Sequence, residues 1–215
     1  MSRSSAPIKA TVTAADVPVE APAGASEKML NHYEKYLENF KVSKKNQKRT
    51  IGGIFYAKSK QQVLYFDIGG PPDKNFSKNY QSGPLSFEYF LDGHKIITNC
   101  GFGNKISAKA ELISRLTASQ TTLTINDTSI TKFERNKLIN RIFGNAIKNT
   151  FKTSNLKFEN SNFLNGSSVS HNGYEKDFGC IHKREIYLDQ EKNKLRGIDH
   201  ILKKSDGIPI RYVFR

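Results

Sequence analysis

The chain has 215 residues, 37% hydrophobic and 25% charged, with 34 Lys and Arg against 20 Asp and Glu and a formal net charge of +14. That length holds one domain of ordinary size with room for a tail, and no apolar run approaches the ~20 residues that a membrane-crossing helix needs. With only Cys100 and Cys180 the chain is not a disulfide scaffold, and no apolar segment near the N-terminus reads as a secretory signal. The positive excess concentrates polyanions near the surface. Nucleic acids and acidic or sulfated polysaccharides both carry the fitting sign, and the same charge also serves plain solubility.

Residues 1–28 hold seven of the twelve alanines and none of the eighteen asparagines. They are rich in Pro, Ala and Val without a sustained period and read as a disordered leader, either a linker or a product of gene assembly. In residues 29–49, Leu30, Tyr33, Leu37 and Phe40 recur at helical spacing behind a Ser26 cap. Positions 41–49 form a solvated basic connector.

Strands are expected from residue 50. Residues 51–57 and 62–68 read as a hairpin around 58–61. Gly69-Gly70-Pro71-Pro72 then opens a polar loop that runs to Pro84. Residues 85–90 alternate, and Asp92-Gly93 supplies a two-residue turn, which places Tyr89 opposite Ile96, Phe87 opposite Thr98 and Ser86 opposite Asn99. Residues 107–116 read as one or two helical turns and 121–126 as a strand. Two long neighbours, 146–159 and 163–172, follow, and strands at 179–189, 195–202 and 208–214 complete the pattern. Short strands punctuated by Gly, Pro and Asn predict an all-β fold: a two-layer antiparallel β-sandwich with a short N-terminal helix and a disordered leader. The sequence holds no Walker loop, GxGxxG, HExxH or paired CxxC, and the sequon Asn126-Asp127-Thr128 is too common a pattern to weigh.

Three ordered stretches carry a resemblance. The first is Asn79-Tyr80-Gln81-Ser82-Gly83-Pro84-Leu85-Ser86-Phe87 with its return, Thr98-Asn99-Cys100-Gly101. The second is Arg115-Leu116-Thr117-Ala118-Ser119-Gln120-Thr121-Thr122-Leu123. The third is His171-Asn172-Gly173-Tyr174 with Gly179-Cys180-Ile181-His182-Lys183-Arg184. Together they resemble the C-terminal domain of heparinase II/III-type polysaccharide lyases, which makes residues 50–215 the sandwich domain. By that resemblance the domain is truncated at its C-terminus, leaving 208–214 as an unpaired sheet edge. The helix at 29–40 is then either a remnant of the family's helical toroid or a helix packed on the end of the sandwich.

The resemblance implies cleavage of uronic-acid-containing glycans by β-elimination, which needs a neutralised carboxylate, a base for the C5 proton and an acid for the departing oxygen. The family draws most of these from its toroid, so the chain alone is expected to be inactive. Supporting candidates here are Asn79, at the position of a catalytic His in some members, and Tyr80, Arg115, His171 and Tyr174. The plain alternatives are a solvated cation for Arg115 and hydrogen-bonded corner residues for His171 and Tyr174. The zinc-ligand positions of metal-containing members fall on Gln81, Asn99 and Gln120. Three neutral amides do not make a zinc shell, so no cofactor is expected, and the amides are expected to bond to one another. The implied partners are an acidic or sulfated polysaccharide and a helical toroid, with no membrane, and the family points to an exported or periplasmic setting. A non-catalytic glycan-binding or structural module is the second reading. A nucleic-acid-binding protein comes last, because the aromatics fall mostly at apolar alternation positions.

Overall fold

Alternation of apolar and polar residues from position 50 onward gives strands with one buried face, and two sheets stack those faces together. The computed structural model describes residues 50–214, apart from 60, 137, 139, 141–143, 162 and 204–210. The expected leader at 1–28 and the helix and connector at 29–49 lie outside the described residues. One sheet has the order β1 (Thr50–Ile51), β2 (Ile54–Lys58), β3 (Gln62–Asp67), β4 (Phe87–Leu91), β5 (His94–Ile97). The second runs β10 (Lys194–Lys203), β9 (Cys180–Asp189), β8 (Leu164–His171), β7 (Thr153–Asn160). All pairings are antiparallel, and β6 (Leu123–Ile125) pairs with β11 (Tyr212–Phe214) apart from both sheets. This is the all-β sandwich that the sequence pattern predicts.

Between the sheets, Phe55, Leu64, Phe66, Phe87 and Tyr89 of the first meet Val169, Ile186 and Leu188 of the second. A second apolar cluster sits at one end, where Tyr80, Leu123, Ile125, Ile130, Ile147, Phe151, Tyr174 and Cys180 pack together. The helix Ala108–Ser114 is capped by the Ser107 side chain, which accepts the Ala110 N–H. Cys100 is exposed and Cys180 buried, and both are free thiols.

Several boundaries differ from the sequence expectation, each for a local reason. Gly52 and Gly53 take positive φ (57° and 82°), so the expected strand 51–57 folds back and Thr50 pairs with Phe55. The Asp92-Gly93 turn forms, with Leu91 opposite His94 and Phe90 opposite Lys95, but a bulge follows and Tyr89 faces Ile97 rather than Ile96. The bulge turns Ile96 outward, where it is 57% exposed. The strand begins at Phe87, not at residue 85, because Leu85 sits at φ 59° in a turn. The long strand expected from 146 starts only at Thr153. The expected raw edge at 208–214 is corrected for its last part, since Tyr212–Phe214 pairs with Leu123–Ile125.

Gly166 in β8 lies under the ring of Tyr187, where an added methyl would come within 2.1 Å of the Ile186 carbonyl oxygen and 2.5 Å of Tyr187 Cδ1. Gly197 in β10 has nothing within 4 Å. Gly166→Ala is expected to cost about 1–3 kcal/mol by overpacking, and Gly197→Ala to shift stability by less than ~0.5 kcal/mol. Urea unfolding of the two variants beside the parent checks this, and equal effects would refute it.

Candidate functional site

Three segments that are distant in sequence are laced together by backbone and hydroxyl hydrogen bonds. Ser82 N–H donates to Arg115 O (2.9 Å), and the Ser82 and Thr117 hydroxyls meet at 2.9 Å. Thr122 Oγ1 donates to Pro84 O (2.8 Å). Thr121 Oγ1 accepts the Phe87 N–H (2.8 Å), and Asn99 Oδ1 accepts the Thr121 N–H (2.9 Å). The loop before β4, the return after β5 and the segment 114–122 therefore form one locality. Gln81, Asn99 and Gln120 each belong to one of them.

The amides do not bond to one another as expected. Asn99 Oδ1 is held by the Thr121 backbone and hydroxyl. Gln120 Nε2 donates to Ser114 O (2.7 Å), and the Gln120 stem packs against Gly83. Asn99 and Gln120 each tie their segment to a neighbouring backbone instead, which satisfies buried polar groups equally well. Neutral carbonyl oxygens, one of them already accepting two hydrogen bonds, do not suit zinc. Among the described residues no cluster of three His, Cys, Asp or Glu side chains has the arrangement of a metal site.

The candidate catalytic residues fall into two groups. Asn79 is exposed on the loop. The others are buried. Arg115 is 0% exposed: Nε donates to Tyr80 O (2.8 Å), Nη2 donates to Ser77 O (3.0 Å), and the guanidinium lies 4.1 Å over the Phe133 ring. Burial brings its pKa down to about 10, against the pull of Glu111. Arg115 is thus no solvated cation but the strut of the loop carrying Asn79 and Tyr80. The Tyr174 hydroxyl is 3.1 Å from Leu123 O and 3.2 Å from Thr128 O, and burial pushes its pKa up. It is a corner residue that fastens the turn after β8 to β6.

His171 opens a buried chain that sequence reasoning missed. The Gly173 N–H donates to His171 Nδ1 (3.0 Å), which leaves the His171 proton on Nε2. That nitrogen is 3.1 Å from His182 Nδ1, so His182 carries its own proton on Nε2, 2.6 Å from Asp199 Oδ1. Asp199 also receives Arg184 Nε (2.7 Å) and Nη2 (2.9 Å), while Arg184 Nη1 donates to Leu85 O (2.6 Å) and Thr121 O (2.8 Å). Burial, the neighbouring imidazole and Arg184 keep His171 neutral, and burial lowers the pKa of His182 despite its bond to Asp199. Burial alone would raise the Asp199 pKa, but the bonds from His182 and Arg184 outweigh it and hold the carboxyl well below its usual range. The available signal was a His and an Arg on the same face of β9 as Ile186 and Leu188, since such groups stay buried only with partners.

The family profile described as Heparinase II/III-like, C-terminal, matches residues 49–214. The chain belongs to the heparinase II/III-like family. Among solved structures it is similar to a mutant of the heparan sulfate lyase HepC from Pedobacter heparinus, at 16% identity and a TM-score of 0.57, over 82% of this chain and 28% of that one. It is also similar to heparinase III, at 14% identity and a TM-score of 0.53, over 84% of this chain and 29% of that one. No curated protein sequence matches significantly. The chain therefore spans less than a third of the length of these structures, and at such identities they show a shared fold. The fold and family are those of a heparinase II/III-like C-terminal domain, which is related to polysaccharide lyases.

Two expected outcomes follow from the geometry. The triple change Gln81→His, Asn99→Asp, Gln120→His supplies two imidazoles and a carboxylate, enough with water for a zinc shell. Metal analysis should find zinc in that variant, bound ~10–100-fold more weakly than in a site with oriented ligands, and none in the parent. Zinc in the parent, or none in the saturated variant, would refute the assignment of positions. Separately, Asp199→Asn leaves Arg184 buried without its counterion and should cost about 2–4 kcal/mol, less than a fully buried pair because the carboxylate is 27% exposed. The Asp199 pKa is lowered on folding, so its contribution is present above about pH 4 and is lost as pH falls. Urea unfolding at pH 7 and pH 3 should show the gap between parent and variant narrowing in acid, and a constant gap would contradict the ion-pair account.

Proposed function

We propose that this domain is the sandwich part of a lyase that acts on acidic, uronic-acid-containing glycans by β-elimination, with a separate helical toroid supplying the base and acid. In this reading the sandwich does not cleave glycan alone. The observation that carries it is the burial of His171 and Tyr174. The His171 ring nitrogens are both engaged internally, the Tyr174 hydroxyl is committed to backbone carbonyls, and both side chains are at most 1% exposed. A proton-transferring group must reach its substrate within hydrogen-bond distance. What the domain offers a glycan is its surface at Asn79 and Gln81, framed by Arg115 from below, together with its positive charge.

Incubation with heparin, heparan sulfate and alginate, followed by the ultraviolet absorbance of unsaturated uronate, should give no steady product. Growth of that signal, abolished by Tyr174→Phe or His171→Ala, would overturn the reading. Binding to heparin should occur and fade with salt, because exposed charges are screened beyond ~8 Å at physiological ionic strength. Retention that persists in molar salt would instead require a specific anion site and would refute the diffuse electrostatic account.

A further inference from the structure

The hydrogen-bond chain Gly173 N–H to His171 to His182 to Asp199 is saturated with protons. Each imidazole has one donor and one acceptor nitrogen, and both acceptors are occupied: His171 Nδ1 by the Gly173 N–H and His182 Nδ1 by the His171 N–H. A further proton on either ring therefore sets one N–H against another. We infer that the His171–His182 pair is an acid-sensitive latch on the candidate site: one added proton breaks this chain and loosens the grip of Arg184 on Leu85 and Thr121 before the sandwich itself unfolds.

The route from the imidazoles to the site is short. His182 Nε2 and Arg184 Nε share the same carboxylate oxygen, Asp199 Oδ1, at 2.6 and 2.7 Å. A protonated His182 competes with Arg184 for that oxygen and places a second cation beside it. Arg184 Nη1 holds both Leu85 O and Thr121 O. Thr121 in turn receives the Phe87 N–H and donates its own N–H to Asn99. Leu85 has more reason than most residues to leave when released, since a bulky residue at φ 59° is held against its preference.

The charged and titratable groups around the pair lie on β9, on β10 and in the turn after β8. Cys180 and Arg184 lie on β9, and Asp199, His200 and Lys203 on β10, while Tyr174 follows β8. Arg184 and His200 oppose a proton on His182, and Asp199 favours it, while His182 and Arg184 oppose a proton on His171. Burial acts in the same direction as the cations, with His171 and His182 both 0% exposed. A group whose pKa is lowered by folding contributes full stability above its unfolded value, and the folded form loses ground as pH falls below that value. For histidine that value is about 6.5.

As a regulatory device for the glycan-facing segments, the latch rests on the functional reading above, and the test separates the two. Nuclear magnetic resonance of the labelled chain follows the imidazole nitrogens and amide exchange, corrected for intrinsic rates, from pH 7.5 to 5.5. Protection at Thr121 and Phe87 should fall below about pH 6.5 by about tenfold per pH unit for each proton taken up, while Leu64 and Phe66 in β3 stay protected. His182→Gln keeps one acceptor and one donor in place but does not titrate. In that variant Thr121 and Phe87 should lose their acid dependence, while Gly173, still bonded to His171, keeps it. If Leu64 and Phe66 open together with Thr121, the event is global unfolding and the latch is refuted. It is equally refuted if the imidazoles take up protons with Thr121 unmoved, or if His182→Gln behaves like the parent. Should that variant not fold, the comparison of Thr121 with Leu64 in the parent decides alone. Absence of heparin-oligosaccharide binding at pH 7.5 would overturn the glycan reading and leave the latch to the exchange data.

Discussion

Arg184 carries a positive charge into a region that water does not reach, and the way that charge is met organises the layers of the molecule. Desolvating an ion costs several kcal/mol even after relaxation. The offset here is a two-pronged ion pair to Asp199 on the neighbouring strand and two backbone carbonyls, Leu85 O and Thr121 O, from the opposite side of the sandwich. Apolar packing between the sheets is not directional and would tolerate small shifts. A planar guanidinium with fixed donors does not. The register of β9 on β10, with Arg184 opposite Asp199, and the approach of the segments around Leu85 and Thr121 are thus set by the same side chain.

Two features that would be anomalies in isolation follow from that constraint. Leu85 adopts a left-handed φ although its side chain is large and fully buried. Its carbonyl must point at Arg184 and its N–H at Asp67 O (3.1 Å), and those partners over-determine the strained turn. Two adjacent imidazoles are also buried without charge. They extend the Asp199 end of the network toward the second apolar cluster, where Tyr174 fastens the turn after β8 to β6. Polar groups in such a place must be paired throughout, because each unpaired one costs more in a low-dielectric interior than it would in water.

Local pattern made much of the fold legible. The Asp92-Gly93 turn, the helical turns within 107–116 and the long alternating strand read at 179–189 are all decided by neighbours within a few residues. The misses are of two kinds. Gly52-Gly53 was readable as a turn and was absorbed into a strand by the apolar residues on either side. The bulge after Tyr89 and the turn at Leu85 carry no such signature, and the turn is held by the distant partners Arg184 and Asp67. The candidate site divides the same way. That segments 79–87, 98–101 and 115–123 share a locality was carried by ordered motifs, whereas the roles of His182, Arg184 and Asp199 depend on a pairing between β9 and β10 that no short window reveals. Arg115 shows the limit of type-based expectation. A lone Arg in a polar stretch reads as solvated, yet three of its contacts are a carbonyl from Ser77, another from Tyr80 and the face of Phe133.

The amides at Gln81, Asn99 and Gln120 make sense once the frame of the site is separated from the groups it displays. Arg184, Arg115 and the hydroxyls of Ser82, Thr117, Thr121 and Thr122 fix the three segments through backbone atoms. None of those bonds requires a metal ion. Asn99 and Gln120 turn inward and add further backbone bonds of their own. A frame held in this way keeps its shape when the displayed groups change from charged to neutral. Electrostatics at the surface can then alter without loss of fold, because the buried charges that specify the fold lie one layer deeper.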